Sequence, residues 1–213
     1  MQVTPVTPEL LVTEVTELVA ARRGRVRLAV DGPPPTAPRA LADAVAVELR
    51  ARGRATVVVG AADYLRPASL RLELGHTDPD MFLDGWLDVG ALRREVLEPA
   101  APDGSGRVLP RLWDADADRA HRDTYVDLPA DGVVVLAGAL LLGRGLPLDL
   151  AVHLRMSDKA LARRLADDER WTLPAYARYA AENTPGEIAD LLVLADHPDR
   201  PAMRRRDCGR GGS

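Results

Sequence analysis

Hydrophobic and polar positions along the chain fall into two rhythms that take turns. Leu10, Leu11, Val15, Leu18 and Val19 recur at helical spacing and predict an amphipathic helix over residues 8–23. Short continuous apolar runs stand at 26–30, 55–60, 132–138, 148–156 and 189–196. Runs of this kind, dense in valine and leucine, suit strands covered on both faces. Helical patterns separate them: one over 40–52, and one over 88–99 opened by Asp88 as N-cap and closed by Pro99. Another covers 159–167, capped by Ser157 or Asp158, and a last one follows Pro174. The segments VLPRLWD and TYVDL predict short strands, 61–86 reads as a loop carrying a turn at Asp78-Pro79, and 102–106 is turn chemistry. Strands alternating with helices predict an α/β fold, a parallel sheet with helices on both faces.

Length and composition narrow this picture. With 213 residues the chain predicts one domain, over about 1–203, with 204–213 (RRRDCGRGGS) as a disordered tail. A hydrophobic fraction of 46% beside 28% charged residues is ordinary for a globular protein. The net charge of −4 argues against a general nucleic-acid binder. The apolar run 133–142 is too short to span a bilayer, and Glu9, Glu14 and Glu17 break any leader-like pattern. Cys208 is the only cysteine, which rules out a disulfide scaffold and fits a cytoplasmic setting. No internal repeat is visible. Lys159 is the only lysine, and it lies far from the first predicted strand.

That last fact matters at the junction RLAVDGPPPTAPRALADAVAVELRARG. A strand leading into a helix here is where a phosphate loop, G-x-x-x-x-G-K-[ST], would sit. The register instead gives Gly32, four intervening residues, then Ala37, Pro38 and Arg39. Prolines at 33, 34, 35 and 38 remove four backbone N–H donors.

Six segments nevertheless resemble the uridine kinase family, the nucleoside-kinase branch of the P-loop phosphotransferases, and more narrowly a uridine-kinase-like group of bacterial proteins. They are VDG, DYLRPASLRLELGHTDPDMFLDGWLD, LPRLWDADADRA, VVVLAGALLL, RRLADDERWTLPAYARY and ADLLVLADHPDRP, spread over 26–201, and the second is the specific one. The resemblance implies a three-layer P-loop NTPase-like fold with a helical lid over about 157–185. It implies that Asp63 stands where the family activates the acceptor hydroxyl, and that Arg163 and Arg164 stand at the lid's phosphate-reaching places. It also implies that the family's magnesium-holding acidic position is here Ala137, so that the loop and the metal carboxylate are lost together. Phosphoryl transfer depends on those parts for positioning and charge neutralisation. A kinase fold that no longer uses ATP in the family manner is the expectation.

Asp63, Tyr64 and Arg66 follow the second strand at its C-terminal end, where open α/β sheets place ligands. His76 has Asp78 two residues on and is a candidate proton-transfer group; Asp78 and Asp80 read as a turn and a helix's first turn. Trp113 and Asp114 are candidates for stacking on a planar ligand and bonding its polar edge, against the alternative of a core tryptophan beside an exposed carboxylate, and Trp86 is a further substrate-binding candidate. Arg163, Arg164, Arg178 and Tyr179 are candidates for clamping an anionic substrate, against the alternative of a solvated helix face. Arg39, at a helix N-terminus, reads chiefly as a solvated first-turn residue. His121, His153 and His197 carry no partner pattern and read as structural. No metal site and no cofactor are expected. The expected partner is a small molecule, with no nucleic acid and no membrane; homo-oligomerisation stays open.

Three functions fit these residues. The first is a repurposed enzyme of specialised metabolism using the acceptor pocket for acid/base chemistry: cyclisation, elimination, isomerisation or hydrolysis. The second is a pseudokinase-like small-molecule binder. The third is a phosphotransferase with an atypical donor site, in which Arg39 or a lid arginine replaces the lysine and Asp31 replaces the metal ligand.

Overall fold

The computed structural model describes residues 3–197 and 199–206. A seven-stranded sheet forms its centre, built from β1 (Thr4–Pro5), β2 (Val26–Asp31), β3 (Thr56–Gly60), β4 (Val133–Gly138), β5 (Leu150–Arg155), β6 (Leu191–Leu194) and β7 (Ala202–Arg205). Their order across the sheet is β1-β7-β6-β5-β2-β4-β3. Strands β6, β5, β2, β4 and β3 are mutually parallel; β7 runs antiparallel to β6, and β1 antiparallel to β7. The α/β architecture predicted from alternation is therefore the observed one. Two corrections concern its far edge. The run at 189–196 is not the last strand, and Arg204 and Arg205, expected in the tail, end β7. Arg206 follows, its backbone N–H donating to Asp190 O and its guanidinium to Ile188 O, and 207–213, Cys208 included, lies outside the described residues.

Helices α1 (Pro8–Ala20) and α2 (Pro38–Ala51) cover one face. Thr7 caps α1 by accepting from the Leu10 N–H, with Pro8 in the first turn. Val15, Val19, Val45 and Leu49 of these helices meet Leu28, Val30, Val135 and Val152 of the strands, all buried. Each such side chain contributes about 1.5–3 kcal/mol by leaving water. On the opposite face lie the helical segment from α4 (Val89–Leu92) into a π-helical stretch, Arg93–Leu97, and the lid. The helix predicted over 88–99 is thus present, capped by Asp88, but its second half is π rather than α. VLPRLWD and TYVDL form two-residue ladders only: Arg107–Val108 with Val126–Asp127, and Trp113–Asp114 with Arg119–Ala120.

The lid is α5 (Asp158–Arg164), a 3-10 segment (Asp167–Thr172) and α6 (Leu173–Asn183). Ser157, not Asp158, caps α5. The lid rests on α3 (Pro79–Asp84), which starts at Asp78-Pro79 with Asp80 in its first turn as expected, within a stretch otherwise read as loop. Phe82 stands edge-on to Trp86, Trp171 and Tyr176, with ring centroids 5.2, 5.5 and 5.9 Å away. Arg178 adds ion pairs to Asp80 and Asp84 across the same seam and to Glu182 on its own helix.

Candidate functional site

The C-terminal ends of β2, β3, β4 and β5 make one edge of the sheet, and the segment 32–38 runs across it. Pro34–Thr36 is a single 3-10 turn, and Ala37 holds a left-handed conformation with φ 51° and ψ 53°. The four prolines have no N–H. The three remaining amides all point inward: Gly32 N–H donates to Gly138 O, Thr36 N–H to Pro33 O and Ala37 N–H to Pro34 O, each at 2.9 Å. The Thr36 hydroxyl donates to Pro33 O. A Cβ on Gly32 would meet Thr36 Oγ1 at 2.6 Å and the Leu154 Cβ at 2.8 Å, so the space above Gly32 is filled.

Beside this segment, β3 ends at Gly60, and Asp63 follows in a 3-10 turn. Gly60 is needed there: a Cβ would lie 2.7 Å from Asp63 Oδ2 and 3.1 Å from Arg39 Nη1. Its absence lets a carboxylate and a guanidinium close on the strand end together. His121 Nε2 stands 3.5 Å from Asp63 Oδ1, an ion pair when the ring is protonated. The backbone sets this meeting, because Leu112 N–H donates to Asp63 O and His121 N–H to Leu112 O. Burial pushes the Asp63 carboxyl above the ordinary aspartate value; His121, Arg39 and Arg111 pull it back, and Asp123 adds to the rise. Arg111 is itself held by Asp123 at 3.0 Å. A cavity of about 480 Å³ lined by Asp114, Arg119, Ala120, His121 and Arg122 opens on the same hairpin.

The structure rearranges the predicted site. Asp63 is at the edge, with 24% of its side chain exposed. Its partner is His121, read from sequence as structural, and not His76. His76 is exposed and makes no hydrogen bond or ion pair among the described residues. Tyr64 is a core residue, 0% exposed, whose hydroxyl donates to Leu109 O, and burial drives its phenol upward. It is not available to a ligand. Arg66 is half-buried, its backbone bonded to Trp86 and Arg71.

Trp86 belongs to the aromatic seam under the lid, with the Arg71 guanidinium 5.2 Å above its ring. Trp113 bonds Asp118, and Asp114 accepts from the Asp116 and Ala117 N–H groups, which hold its carboxyl below the usual range. Those two serve first to make their own hairpin. Arg178, with three carboxylates at 2.7–3.0 Å, has no fork left for a substrate anion. Arg164 is spent on Asp196 O, while Arg163 is exposed and unpaired among the described residues. Arg39 pairs with Asp43 on its own helix at 3.0 Å.

Tyr179 is buried against Asp31, a residue with no exposure at all. Asp31 accepts from Leu141 N–H at Oδ1 (2.9 Å) and from the Tyr179 hydroxyl at Oδ2 (3.0 Å), and its Oδ2 stands 2.7 Å from His153 Nδ1. Both oxygens are committed, so Asp31 is not a spare metal ligand. His153, like His121, has a carboxylate partner that the sequence did not reveal. Among the described residues no group of three His, Cys, Asp or Glu side chains is placed to hold a metal, and no helix is long and apolar enough to cross a membrane.

No family model and no curated protein matches the chain. Solved structures do. A "Possible Uridine Kinase" from Bacillus stearothermophilus superposes with a TM-score of 0.69 at 19% identity, over 86% of this chain and 97% of that one. A "putative fructose transport system kinase" from Silicibacter sp. TM1040 gives 0.59 at 22% identity, over 85% and 91%. The protein YGR205w gives 0.60 at 11% identity, over 93% and 97%. At these identities the likeness is one of fold alone.

Proposed function

We propose that this chain is a small-molecule enzyme built on a P-loop kinase fold that works without ATP in the kinase manner. Its chemistry is proton transfer at Asp63 and His121, in a reaction of the cyclisation, elimination, isomerisation or hydrolysis type. The observation that carries the reading is the Asp63–His121 pair beside a loop whose every N–H from 32 to 38 is absent or turned inward. A triphosphate tail is held by converging amides, a lysine and a magnesium ion. Here the amides are spent, the lysine position is Pro38, and the residue before Gly138 is a buried alanine. These residues do not fit a magnesium–triphosphate group.

A carboxyl raised by burial next to an imidazole suits a proton relay near neutral pH. Of the two, Asp63 is positioned to take a proton from substrate, and His121, in contact with it, to stabilise the charge or pass the proton on. Thermal-shift measurements on the full chain test the donor half of this reading. Millimolar ATP, with or without magnesium, is expected to leave the melting temperature within ~1 °C. A magnesium-dependent rise of several degrees, or release of γ-phosphate abolished by Asp63→Asn, would return the chain to the phosphotransferases.

A further inference from the structure

A second polar centre lies on the other side of segment 32–38, and it plays no part in the reading above. Asp31 and His153 face each other directly in the parallel register of β2 and β5, so their side chains leave the sheet on the same face. Both are buried, at 0% and 7% exposure. Three groups converge on the Asp31 carboxylate: the Leu141 N–H, the Tyr179 hydroxyl and the His153 ring. An ionised carboxylate accepts only, so His153 Nδ1 carries the proton of that contact. In the neutral ring the lone pair then sits on Nε2.

Among the described residues His153 Nε2 has no partner, and neither has the Tyr176 hydroxyl. Yet among the described residues the only fully buried, unpartnered side-chain polar atom is the Trp86 indole nitrogen. Both atoms therefore keep access to open space. That space is a cavity of about 400 Å³ lined by His153, Tyr176 and Tyr179, which α6 closes on one side and Gly32 and Pro33 on another. Its volume is within the range of small-molecule sites, ~300–1,000 Å³. Its remaining walls include Leu140, Leu154, Met156 and Leu161, and its charges give no positive excess: Arg155 and Arg204 stand against Asp158, Glu187 and Asp31.

We propose that this cavity is a ligand site for an uncharged ring compound bearing hydroxyl groups, with His153 Nε2 as its proton acceptor and Asp31 as the residue that positions the ring. With no surplus of positive charge in its walls, the cavity disfavours phosphorylated and carboxylate ligands. The tyrosine and aliphatic walls take the ring, and Nε2 takes the hydroxyl hydrogen.

Acylation of histidines by diethyl pyrocarbonate, mapped by mass spectrometry on the full chain, tests this. His153 is expected to react despite its burial. Ala180→Trp, which adds bulk to the cavity wall without touching the Asp31–His153 contact, is expected to slow that reaction about tenfold or more while His76 reacts as before. Millimolar inositol or resorcinol should protect His153, and benzoate or glucose 6-phosphate should not. An inert His153 in the native chain, protection by the anions equal to that by the alcohols, or protection by neither would each overturn the proposal. Asp31→Asn, checked for folding by circular dichroism, should lower the His153 rate with the cavity intact; an unchanged rate removes the positioning role.

Discussion

Asp63 shows how burying a single carboxyl at a strand end costs stability. Its carboxyl is raised above 3.8 mainly by burial, so the folded state holds the proton more tightly than the unfolded chain does. Below 3.8 both states are protonated; as pH climbs through the raised folded value, stability is lost, and at neutral pH the ionised group is a net cost. Asp63→Asn has no charge to bury. It is expected to melt about 2 °C higher than the native chain at neutral pH, and no higher below pH 3.8, in parallel calorimetric scans. An asparagine variant that melts lower at neutral pH would mean that the His121 and Arg39 contacts outweigh the burial. At this scale the sequence was legible only in part. Asp63 follows a strand end, a position with its own logic, but His121 sits between Ala120 and Arg122 with no pattern around it. Asp31 and His153 are 122 residues apart, and only the strand register joins them.

Segment 32–38 is where element geometry and residue identity disagree. Ala37 keeps the left-handed backbone that a glycine would adopt without strain, and an L-residue there costs ~1–2 kcal/mol. Ala37→Gly is therefore expected to raise the unfolding free energy by about 0.5–1 kcal/mol, read from urea denaturation. The triple variant Ala37→Gly, Pro38→Lys, Arg39→Ser restores the side chains of a phosphate loop but not its amides. It is expected to show no magnesium–ATP stabilisation until Pro33, Pro34 and Pro35 are replaced as well; binding by the triple variant alone would show that the amides are not what is missing. The central elements were readable because buried parallel strands must be continuous and apolar. The edge strands were not. β1 is two residues ending in proline, and β7 reads Ala-Met-Arg-Arg, half of it charged, so neither carries a run to detect. Likewise α3, six residues opened by Asp78 and Pro79, is too short to show a period.

Across the whole molecule, the lid is fastened rather than free. The aromatic seam around Phe82 and the two ion pairs of Arg178 to Asp80 and Asp84 join the lid to α3, and the lone phenylalanine of the chain is spent there. Those ion pairs are solvent-exposed and contribute little to global stability. Arg178→Ala is accordingly expected to shift the melting temperature by less than ~2 °C, while amide hydrogen exchange over residues 158–172 speeds up. Unchanged exchange there would mean that the aromatic seam alone closes the lid. A different consequence follows from β1 lying against β7. The first and last described strands are neighbours on one flank, six and five strand spacings, or roughly 25–30 Å, from β3, which Asp63 follows. A tether or fused partner joined at residue 4 or 205 leaves the sheet on the flank remote from Asp63. A circularly permuted chain, with residues 4 and 205 spliced by a short linker and a fresh opening at 102–106, keeps every parallel pairing intact.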